Sequence, residues 1–354
     1  MDDSDRAPRI LITRLSALGD VILTLPVATA LRDRFPDAYL AWAVEPLAAD
    51  LIRYHHAVDE TLVVPKGWLK SPRFVLRLRD RLRARRFQWA LDAQSLTKSA
   101  VLGWLGGARR RVGFARPQGR ELAPWLDTEL VPRNSAHIVP AMLGLLRPFG
   151  IVEPRVEFGI PGTRASEVAT ERFLQNAHLG RGFAVLNVGA SWKSKRWLPQ
   201  RFGRVARYLG EHHDLPSVIS WASAFEQSLA LRAQSHSGGH ALLAPKTTLL
   251  QLVALLRRAR LMISSDTGPL HLAAAVGTPC IGLYGPTRYE LSGPYGPQHI
   301  TLQVECLFYR NRRRRREDQA AMRVITVDTV CQAVADLLAA PTASVPSARF
   351  LNAA

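Results

Sequence analysis

The sequence has few cysteines, few lysines and no long apolar run. Its three cysteines, Cys280, Cys306 and Cys331, are far apart in the chain, which indicates neither a disulfide framework nor a zinc site. A helix that crosses a bilayer needs roughly 18–20 apolar residues in a row, and no stretch reaches that length. The acidic start, Met1–Arg6, lacks the basic and then apolar pattern of a signal peptide. We therefore expect a cytosolic protein.

Positive charge is what the sequence has in excess. Lysine and arginine number 47 against 29 acidic residues, a formal net charge of +18, and only six of the 47 are lysine. The arginines are densest at Arg77–Arg86, Arg109–Arg111 and Arg310–Arg316. Such a chain can bind nucleic acid, an anionic membrane surface or an acidic substrate. The patterns of nucleic-acid modules are missing, which leaves a membrane, an acidic substrate or ordinary solvated charge.

Apolar strand-like runs alternate with helical runs along the chain. The strand candidates of the first half are Ile10–Leu15, Tyr39–Val44, Thr61–Val64 and Trp89–Asp92, and those of the second half are Phe183–Asn187, Ser217–Trp221, Leu242–Leu243, Leu261–Ser264 and Cys280–Tyr284. Two such series predict an α/β fold of two Rossmann-like parallel-sheet domains that face a central cleft. We expect domains at 1–160 and 161–326, a C-terminal helix at 327–340 and a loose tail at 341–354.

A strand–loop–helix–strand unit in the second half carries the most functional information. Asp266, Thr267 and Gly268 stand between an apolar strand and the small-residue helix predicted at Pro269–Val276. The backbone N–H groups and the positive dipole end of a helix N-terminus bind phosphate. Gly268 permits close approach, Thr267 adds a hydroxyl, and Asp266 is suited to accept hydrogen bonds from sugar hydroxyls. The unit favours a nucleotide-sugar, although Ser265 or Asp266 could instead only cap the helix.

A second polar loop follows the first strand. Ser16–Asp20 joins the strand-like run Arg9–Leu15 to a helical run, and ligands bind at such first loops of α/β domains. Asp20 is the only ionisable residue between Arg14 and Arg32, and its neighbours in the sequence are apolar. A carboxylate there is a candidate general base. The alternative is a simple helix cap.

Together these segments resemble glycosyltransferase family 9, the lipopolysaccharide heptosyltransferases. The resemblance is carried, in order along the chain, by Arg14–Pro26, Trp42–Glu45, Leu91–Ala100, Lys193–Phe202, Ser265–His271 and Tyr284–Thr287. The Leu91–Ala100 segment and a Lys-x-x-x-Pro spacing look closest to the heptosyltransferase I branch. The family implies the GT-B fold, in which Val327–Ala339 would pack back toward the first domain. It also implies transfer of heptose from ADP-heptose to a Kdo-containing acceptor of the lipopolysaccharide inner core.

The resemblance assigns donor-binding roles to residues of the second half. Lys195 matches the family lysine on the donor diphosphate, with Lys193 as the competing candidate. Glu226 matches an acidic residue that reaches the ribose, and Lys246 and Thr247 lie in the loop whose backbone reads adenine. His271 is expected to orient the Asp266 loop, with direct ligand contact as the alternative. The full donor set is Ser191, Glu226, Lys246, Thr247, Asp266, Thr267, Gly268 and His271, with Lys195 catalytic.

Acceptor-binding residues are implied in the first half. They are Ser16, Gly19, Asp92, Gln94, Lys98 and Arg120. Lys98 and Arg120 are expected to pair with the Kdo carboxylates, and the Arg79–Arg86 segment to contact the phosphates of lipid A. The chain departs from the family at Glu305–Met322, where some relatives carry several cysteines and this chain has an arginine run.

These residues predict an inverting glycosyl transfer without a metal ion or other cofactor. Asp20 would take the proton of the acceptor hydroxyl, while Lys195 and the Thr267–Gly268 helix end would hold the departing ADP. The only Asp-x-Asp sequence, Asp3–Asp5, stands before the first strand, so we expect no metal site. The partners would be the nucleotide-sugar, an anionic glycolipid and the inner face of the inner membrane, without nucleic acid.

Three alternatives remain at this stage. A related transferase could use another nucleotide-sugar or another acceptor. A non-catalytic binder of anionic glycolipids or nucleic acids would rest on the +18 charge alone, and such a binder needs neither Asp20 nor Lys195. A nucleotide-sugar epimerase of similar architecture is the third.

Overall fold

The computed structural model describes residues 7–304, 317–339 and 348–351. The chain divides into two compact units, of which the first ends at Pro161 and the second begins at Gly162. The hypotheses about Asp3–Asp5, Cys306 and Arg310–Arg316 lie outside the described residues. Among the described residues, no helix combines the length and the apolar character needed to cross a membrane.

The first unit is built on a six-stranded parallel sheet with the order β3-β2-β1-β4-β5-β6. Its strands are β1 Arg9–Thr13, β2 Tyr39–Val44, β3 Glu60–Val63, β4 Trp89–Asp92, β5 Arg110–Phe114 and β6 Glu129–Val131. Ile10, Leu11 and Ile12 of the central β1 are fully buried, as expected of a parallel strand covered on both faces. Strands β5 and β6 were not predicted, because β5 opens with two arginines and β6 has only three residues.

Six α-helices accompany this sheet in the described structure. They are α1 Leu18–Arg34, α2 Ala49–Arg53, α3 Pro72–Arg83, α4 Thr97–Leu105, α5 Ala123–Leu126 and α6 Ile138–Gly144. Helix α1 continues through Pro26, and all its residues from Val21 to Leu31 are buried. A helix that is apolar all round is stabilised by burial, which offsets the backbone hydrogen bond that proline cannot donate. Leu78 and Leu82 of α3 and Leu102 of α4 join one core with Leu11.

The second unit is built on a seven-stranded parallel sheet with the order β13-β12-β11-β10-β7-β8-β9. Its strands are β7 Ala184–Asn187, β8 Ser217–Ser220, β9 Ala241–Leu243, β10 Leu261–Ser265, β11 Cys280–Tyr284, β12 Ile300–Val304 and β13 Ala348–Leu351. Its described α-helices are α7 Arg164–Asn176, α8 Pro199–His213, α9 Ala224–Gln234, α10 Leu249–Arg258, α11 Gly268–Ala275, α12 Tyr289–Ser292, α13 Ala320–Val324 and α14 Val327–Ala339.

The C-terminal region differs from the prediction in two respects, of which the first is that β12 was not among the predicted strands. Residues 348–351 were expected in a loose tail, but they form β13, which pairs with β12 at the edge of the sheet. An ion pair between Arg349 and Asp336 of α14 fixes this strand, and a charge pair to a distant residue leaves no local pattern in a sequence. Helix α14 packs on α8 and on β11 and β12 of its own unit. Its expected approach to the first domain stays a prediction.

Candidate active site

Each sheet has one point at which the chain direction across the sheet reverses. In the first sheet β1 and β4 are neighbours, and the connections from them run to opposite edges. In the second sheet the same holds for β7 and β10. Ligands of open α/β sheets bind outside the carboxyl ends of the strands at such switch points. The loops predicted from the sequence, Ser16–Asp20 and Asp266–Gly268, follow β1 and β10, and so lie at these two positions.

At the second switch point, a lysine, an aspartate and a histidine form a compact cluster. The Lys195 ammonium lies 2.6 Å from Asp266 Oδ2, and His271 Nε2 lies 3.3 Å from Asp266 Oδ1. Lys195 ends a short 3-10 helix, Lys193–Lys195, and its Nζ is 4.7 Å from the centroid of the Trp192 ring. Lys193 is exposed. Of the two competing lysines, the structure therefore brings Lys195 to the Asp266 loop.

The Asp266 side chain is buried, yet it remains ionised. Its side chain is 7% exposed, and burial alone would raise the pKa of Asp266. The hydrogen bond to His271 and the Lys195 ammonium outweigh that effect and hold the pKa of Asp266 well below its usual range. The cluster is therefore an ion pair with fixed charges, and His271 contacts Asp266 as the orienting role requires.

Asn187 is a residue of this site that the sequence reasoning missed. Its Nδ2 lies 3.1 Å from the Gly189 carbonyl oxygen, 3.0 Å from Ser264 Oγ and 3.3 Å from Thr267 Oγ1. The asparagine thus ties the ends of β7 and β10 together. One feature of the sequence could have identified it: Asn187 is the polar last residue of the apolar strand β7.

Thr267 and Gly268 open α11, as predicted within one residue. Thr267 is the N-cap, but its side chain makes no capping bond. Its hydroxyl instead lies 3.0 Å from Ser264 Oγ. The helix end therefore keeps its first-turn N–H groups clear of a side-chain cap, which is the arrangement that suits an anionic ligand.

The other predicted donor residues lie on neighbouring loops of the same unit. Glu226 is in the first turn of α9, where its Oε2 accepts a hydrogen bond of 2.9 Å from the Ala222 amide. A Cβ at Gly189 would lie 2.3 Å from Glu226 Oε1, so a larger residue there would displace the Glu226 side chain. Ser191 is exposed just beyond this contact.

A pocket of about 340 Å³ lies beside the loop that carries Lys246 and Thr247, and Thr170, Phe173 and Leu255 also line it. Lys246 itself is exposed. An aromatic and aliphatic lining next to exposed loop backbone is suited to a flat ring.

At the first switch point, Asp20 is not in the apolar setting that its sequence neighbours suggested. Asp20 Oδ2 lies 2.9 Å from Arg14 Nη2, and its side chain is 42% exposed while that of Arg14 is 8% exposed. Arg14 also donates to the Ala93 carbonyl at 2.5 Å, which anchors it to the end of β4. Asp20 accepts a longer bond, 3.3 Å, from the Ala17 amide. The carboxylate is both a helix-cap acceptor and half accessible, so the two interpretations of Asp20 are compatible.

Asp92 corrects one expectation about the acceptor side. Its side chain is 2% exposed, and Oδ1 accepts bonds from the Gln94 and Ser95 amides at 3.1 and 2.9 Å. It lies beneath the loop and shapes it, so Asp92 cannot contact an acceptor directly. This burial could not be predicted, because Asp92 stands at the end of a strand, where exposed site residues also stand.

A second buried carboxyl group, Asp127, stands near Asp92. Burial raises the pKa of Asp92 to about 6, because its effect is larger than that of the hydrogen bonds, which lower the pKa. Burial and the charge of Asp92 raise the pKa of Asp127 to about 8. Oδ2 of each is buried without a hydrogen-bond partner. The pair therefore retains a proton at neutral pH, as two close buried carboxyl groups do.

Lys98 lies at the Ser16–Asp20 loop, and its charge is already engaged. Its Nζ is 3.0 Å from Ser16 Oγ and 3.0 Å from Glu45 Oε1. Gln94 Oε1 accepts a 2.9 Å bond from the Leu15 amide, which fixes the end of β1. An acceptor carboxylate at Lys98 would therefore compete with Glu45, a residue that the sequence reasoning did not weigh.

The remaining acceptor candidates are Gly19 and Arg120. Gly19 lies in the first turn of α1, beside Asp20. Arg120 has an exposed side chain, and its amide donates to the Ser95 carbonyl at 3.1 Å. Across the residues described, no group of three or more His, Cys, Asp or Glu side chains could hold a metal ion.

Comparison with known proteins identifies the class of this two-domain α/β protein. A glycosyltransferase of family 9 from Veillonella parvula has a structure that superposes with a TM-score of 0.82 over 94% of this chain and 97% of that one, at 22% identity. The E. coli heptosyltransferase WaaC with ADP gives a TM-score of 0.75 over 93% and 99% of the two chains, at 24% identity. The protein has the GT-B fold that these glycosyltransferases share.

The family model for glycosyltransferase family 9 (heptosyltransferase) matches residues 75–321, so the chain belongs to that family. Lipopolysaccharide heptosyltransferase 1 of Pseudomonas aeruginosa is 28% identical over 83% of each chain. Lipopolysaccharide heptosyltransferase 3 of E. coli is 26% identical over 92% of this chain and 97% of its own. The protein is a glycosyltransferase, which disfavours the non-catalytic binder and the epimerase.

Proposed function

We propose that the protein transfers heptose from ADP-heptose to a Kdo-containing, lipid-linked acceptor of the lipopolysaccharide inner core. The observation that carries this proposal is the Lys195–Asp266–His271 cluster beside the N-terminus of α11. It combines the half-buried Lys195 ammonium and the N–H groups of the helix end, which suit a diphosphate, with the Asp266 carboxylate, which suits sugar hydroxyls. Relatives named lipopolysaccharide heptosyltransferase 1 support this assignment, as does a similar fold solved with ADP-2-deoxy-2-fluoro heptose.

On the donor side, charge develops on the ADP that leaves. Lys195 and the first turn of α11 would offset that charge, and a contact that strengthens as charge develops lowers the activation barrier. Asp266 would accept hydrogen bonds from the heptose hydroxyls while it holds Lys195 in place. Because these cationic and dipolar groups do the work often done by a bound cation, we propose a reaction without a metal ion.

On the acceptor side, Asp20 would act as the general base. The acceptor hydroxyl transfers its proton to the Asp20 carboxylate as its oxygen forms a bond to the anomeric carbon of heptose. The bond from that carbon to the diphosphate breaks on the opposite side, so the configuration inverts and ADP departs. Arg14 binds one oxygen of Asp20, which orients the carboxylate and leaves the other oxygen to take the proton.

The direct test is incubation with ADP-heptose and Kdo-containing lipid A, followed by mass spectrometry. We expect an increase of one heptose and release of ADP, with no loss of activity when a metal chelator is present. The control is Asp20→Asn, which should release little ADP. Failure to consume ADP-heptose with this acceptor would contradict the proposal.

A second candidate is transfer to a different inner-core acceptor. The match to lipopolysaccharide heptosyltransferase 3 extends over more of this chain than the match to heptosyltransferase 1. An acceptor that already carries heptose distinguishes the two candidates. Preference for that acceptor over the heptose-free one would favour the second candidate.

A lipid-linked acceptor also places the enzyme at a membrane. We propose that it works in the cytoplasm at the inner face of the inner membrane, where ADP-heptose and the growing glycolipid would meet.

A further inference from the structure

The helices that cover one face of the first sheet carry exposed cations and exposed aromatic residues together. Helix α3 packs against α4, and α4 packs against α5. We use "α3–α5 face" for seven of the exposed side chains of these helices and of the residues just before them, three cations and four apolar residues. These are Lys70, Arg73, Leu76, Arg77, Trp104, Leu122 and Trp125.

The apolar members of the face are exposed to an unusual degree. Trp125 is 79% exposed, Leu122 is 59%, Trp104 is 55% and Leu76 is 51%. Tryptophan presents an apolar ring with one polar N–H group, a combination that is enriched at the boundary between lipid and water. Leu78 and Leu82, on the opposite side of α3, are buried in the core, so the exposed leucine is not needed to hold the helix in place.

In the described structure, the three cations of the face are not paired, although two acidic residues, Asp80 of α3 and Glu121 just before α5, are also exposed. Within the part of the chain that the structure describes, no carboxylate forms an ion pair with Lys70, Arg73 or Arg77, and the one acidic residue of α3, Asp80, is engaged by Arg79. Arg85, by contrast, pairs with Glu60. Within the arginine run read from the sequence, Arg79 and Arg85 are therefore engaged by carboxylates. Arg77 forms no ion pair among the described residues and stands next to the exposed Leu76.

The face is linked directly to the proposed acceptor loop. The Leu122 amide donates to Thr97 Oγ1 at 3.1 Å. The next residue along α4, Lys98, contacts Ser16. A ligand that contacts the face at Leu122 and Trp125 would therefore lie near the Ser16–Asp20 loop.

We propose that the α3–α5 face docks the enzyme on anionic lipid bilayers, with Trp104, Leu122 and Trp125 entering the headgroup region. The free cations supply attraction to anionic headgroups, and the aromatic and aliphatic side chains supply apolar contact at the interface. The inference rests on the proposed function for its lipid-linked acceptor, and it adds the surface by which the enzyme reaches that acceptor.

The test measures binding to vesicles of phosphatidylcholine alone and of phosphatidylcholine with phosphatidylglycerol in equal parts. The vesicles contain no glycosyl acceptor, so the result does not depend on the transferase assignment. We expect the intact protein to bind the anionic vesicles only. Lys70→Gln, Arg73→Gln and Arg77→Gln together should weaken that binding at least about tenfold, since each of these near-surface cations attracts the anionic headgroups.

A matched charge control is the triple variant Arg172→Gln, Arg181→Gln and Arg204→Gln, which removes three exposed arginines of the second unit. It should bind almost as the intact protein does. Equal weakening in the two triple variants would overturn the proposal, because net charge and not this face would then attract the vesicles.

Insertion is tested separately with brominated lipids, which quench tryptophan that enters the bilayer. Quenching should occur in the intact protein and be lost in the double variant Trp104→Phe and Trp125→Phe. Transfer to a soluble, delipidated acceptor should be unchanged in that variant.

Three outcomes would each overturn the proposal: unchanged quenching in the double variant, binding of a single-stranded oligonucleotide in place of vesicles, or self-association through the face. Failure of heptose transfer with intact vesicle binding would refute only the proposed function.

Discussion

The two units of this enzyme hold their buried acidic groups in opposite charge states. In the second unit, Asp266 is buried with Lys195 and His271, and its pKa is held below the usual range. In the first unit, Asp92 and Asp127 are buried without a bonded cation, and the pKa of each is raised. Arg14, which follows β1 in that unit, pairs instead with the more accessible Asp20. Fixed charge suits a site that binds a diphosphate, whereas an accessible carboxylate suits a site that receives a proton.

The comparison predicts that the largest loss of activity comes from the accessible carboxylate. Asp20→Asn should lower turnover at least about 100-fold, a typical contribution of a general base, because asparagine cannot take the proton. Steady-state kinetics with donor binding measured separately would check this, and donor affinity should change little. Because Asn also leaves Arg14 without its counter-charge, a melting curve must accompany the kinetics. Near-normal turnover would reduce Asp20 to a helix cap.

A smaller loss is expected from the fixed ion pair. Lys195→Ala should lower kcat and kcat/KM together by about 10- to 100-fold, because the ammonium acts chiefly on the departing ADP. Lys193→Ala is the matched control, since Lys193 is exposed and two residues away. Kinetics of both variants decide the assignment. If Lys193→Ala were the more damaging change, Lys195 would be only the structural partner of Asp266.

The protonated pair should make stability depend on pH. Asp127 has a folded pKa of about 8 against about 3.9 for an unfolded aspartate, so its stabilising effect is complete below about pH 4 and is lost as pH rises to about 8. In that window the free energy of unfolding should fall by up to about 1.4 kcal/mol per pH unit for each retained proton. Asp127→Asn should flatten this slope in urea titrations. Asp37→Asn, at an exposed position, should leave it unchanged, and equal slopes for the protein and Asp127→Asn would contradict the prediction.

The smallest effect is expected at Lys98, which Glu45 already engages. Lys98→Met should raise the acceptor KM several-fold with kcat almost unchanged, because it removes a cation from the acceptor loop. Glu45→Gln frees the ammonium and should lower the same KM. Measurement of both variants with a Kdo-containing acceptor checks the sign. If both changes raised KM equally, the Lys98–Glu45 pair would only support the loop.

Most strands and the loops of the candidate site could be predicted from the sequence. The bounds of β2, β4 and β11 agree with the predicted ones, because each is a short apolar run between polar residues. The charged start of β5 and the edge strand β13 gave no such pattern. The role of Asn187 in joining the ends of β7 and β10 also could not be predicted from the sequence, because its partners Ser264 and Thr267 are distant along the chain.

The sequence by itself determined the two βα series, the polar loops after β1 and β10 and the resemblance to family 9, because apolar periodicity and loop motifs are local properties. Only the tertiary structure decided which charges meet. Lys195 and Asp266 are 71 positions apart, and Arg14 and its anchor at Ala93 are 79 apart. Burial and pairing depend on distances across the sheet. For this reason the buried Asp92 and the accessible Asp20 look alike in the sequence and differ in the fold.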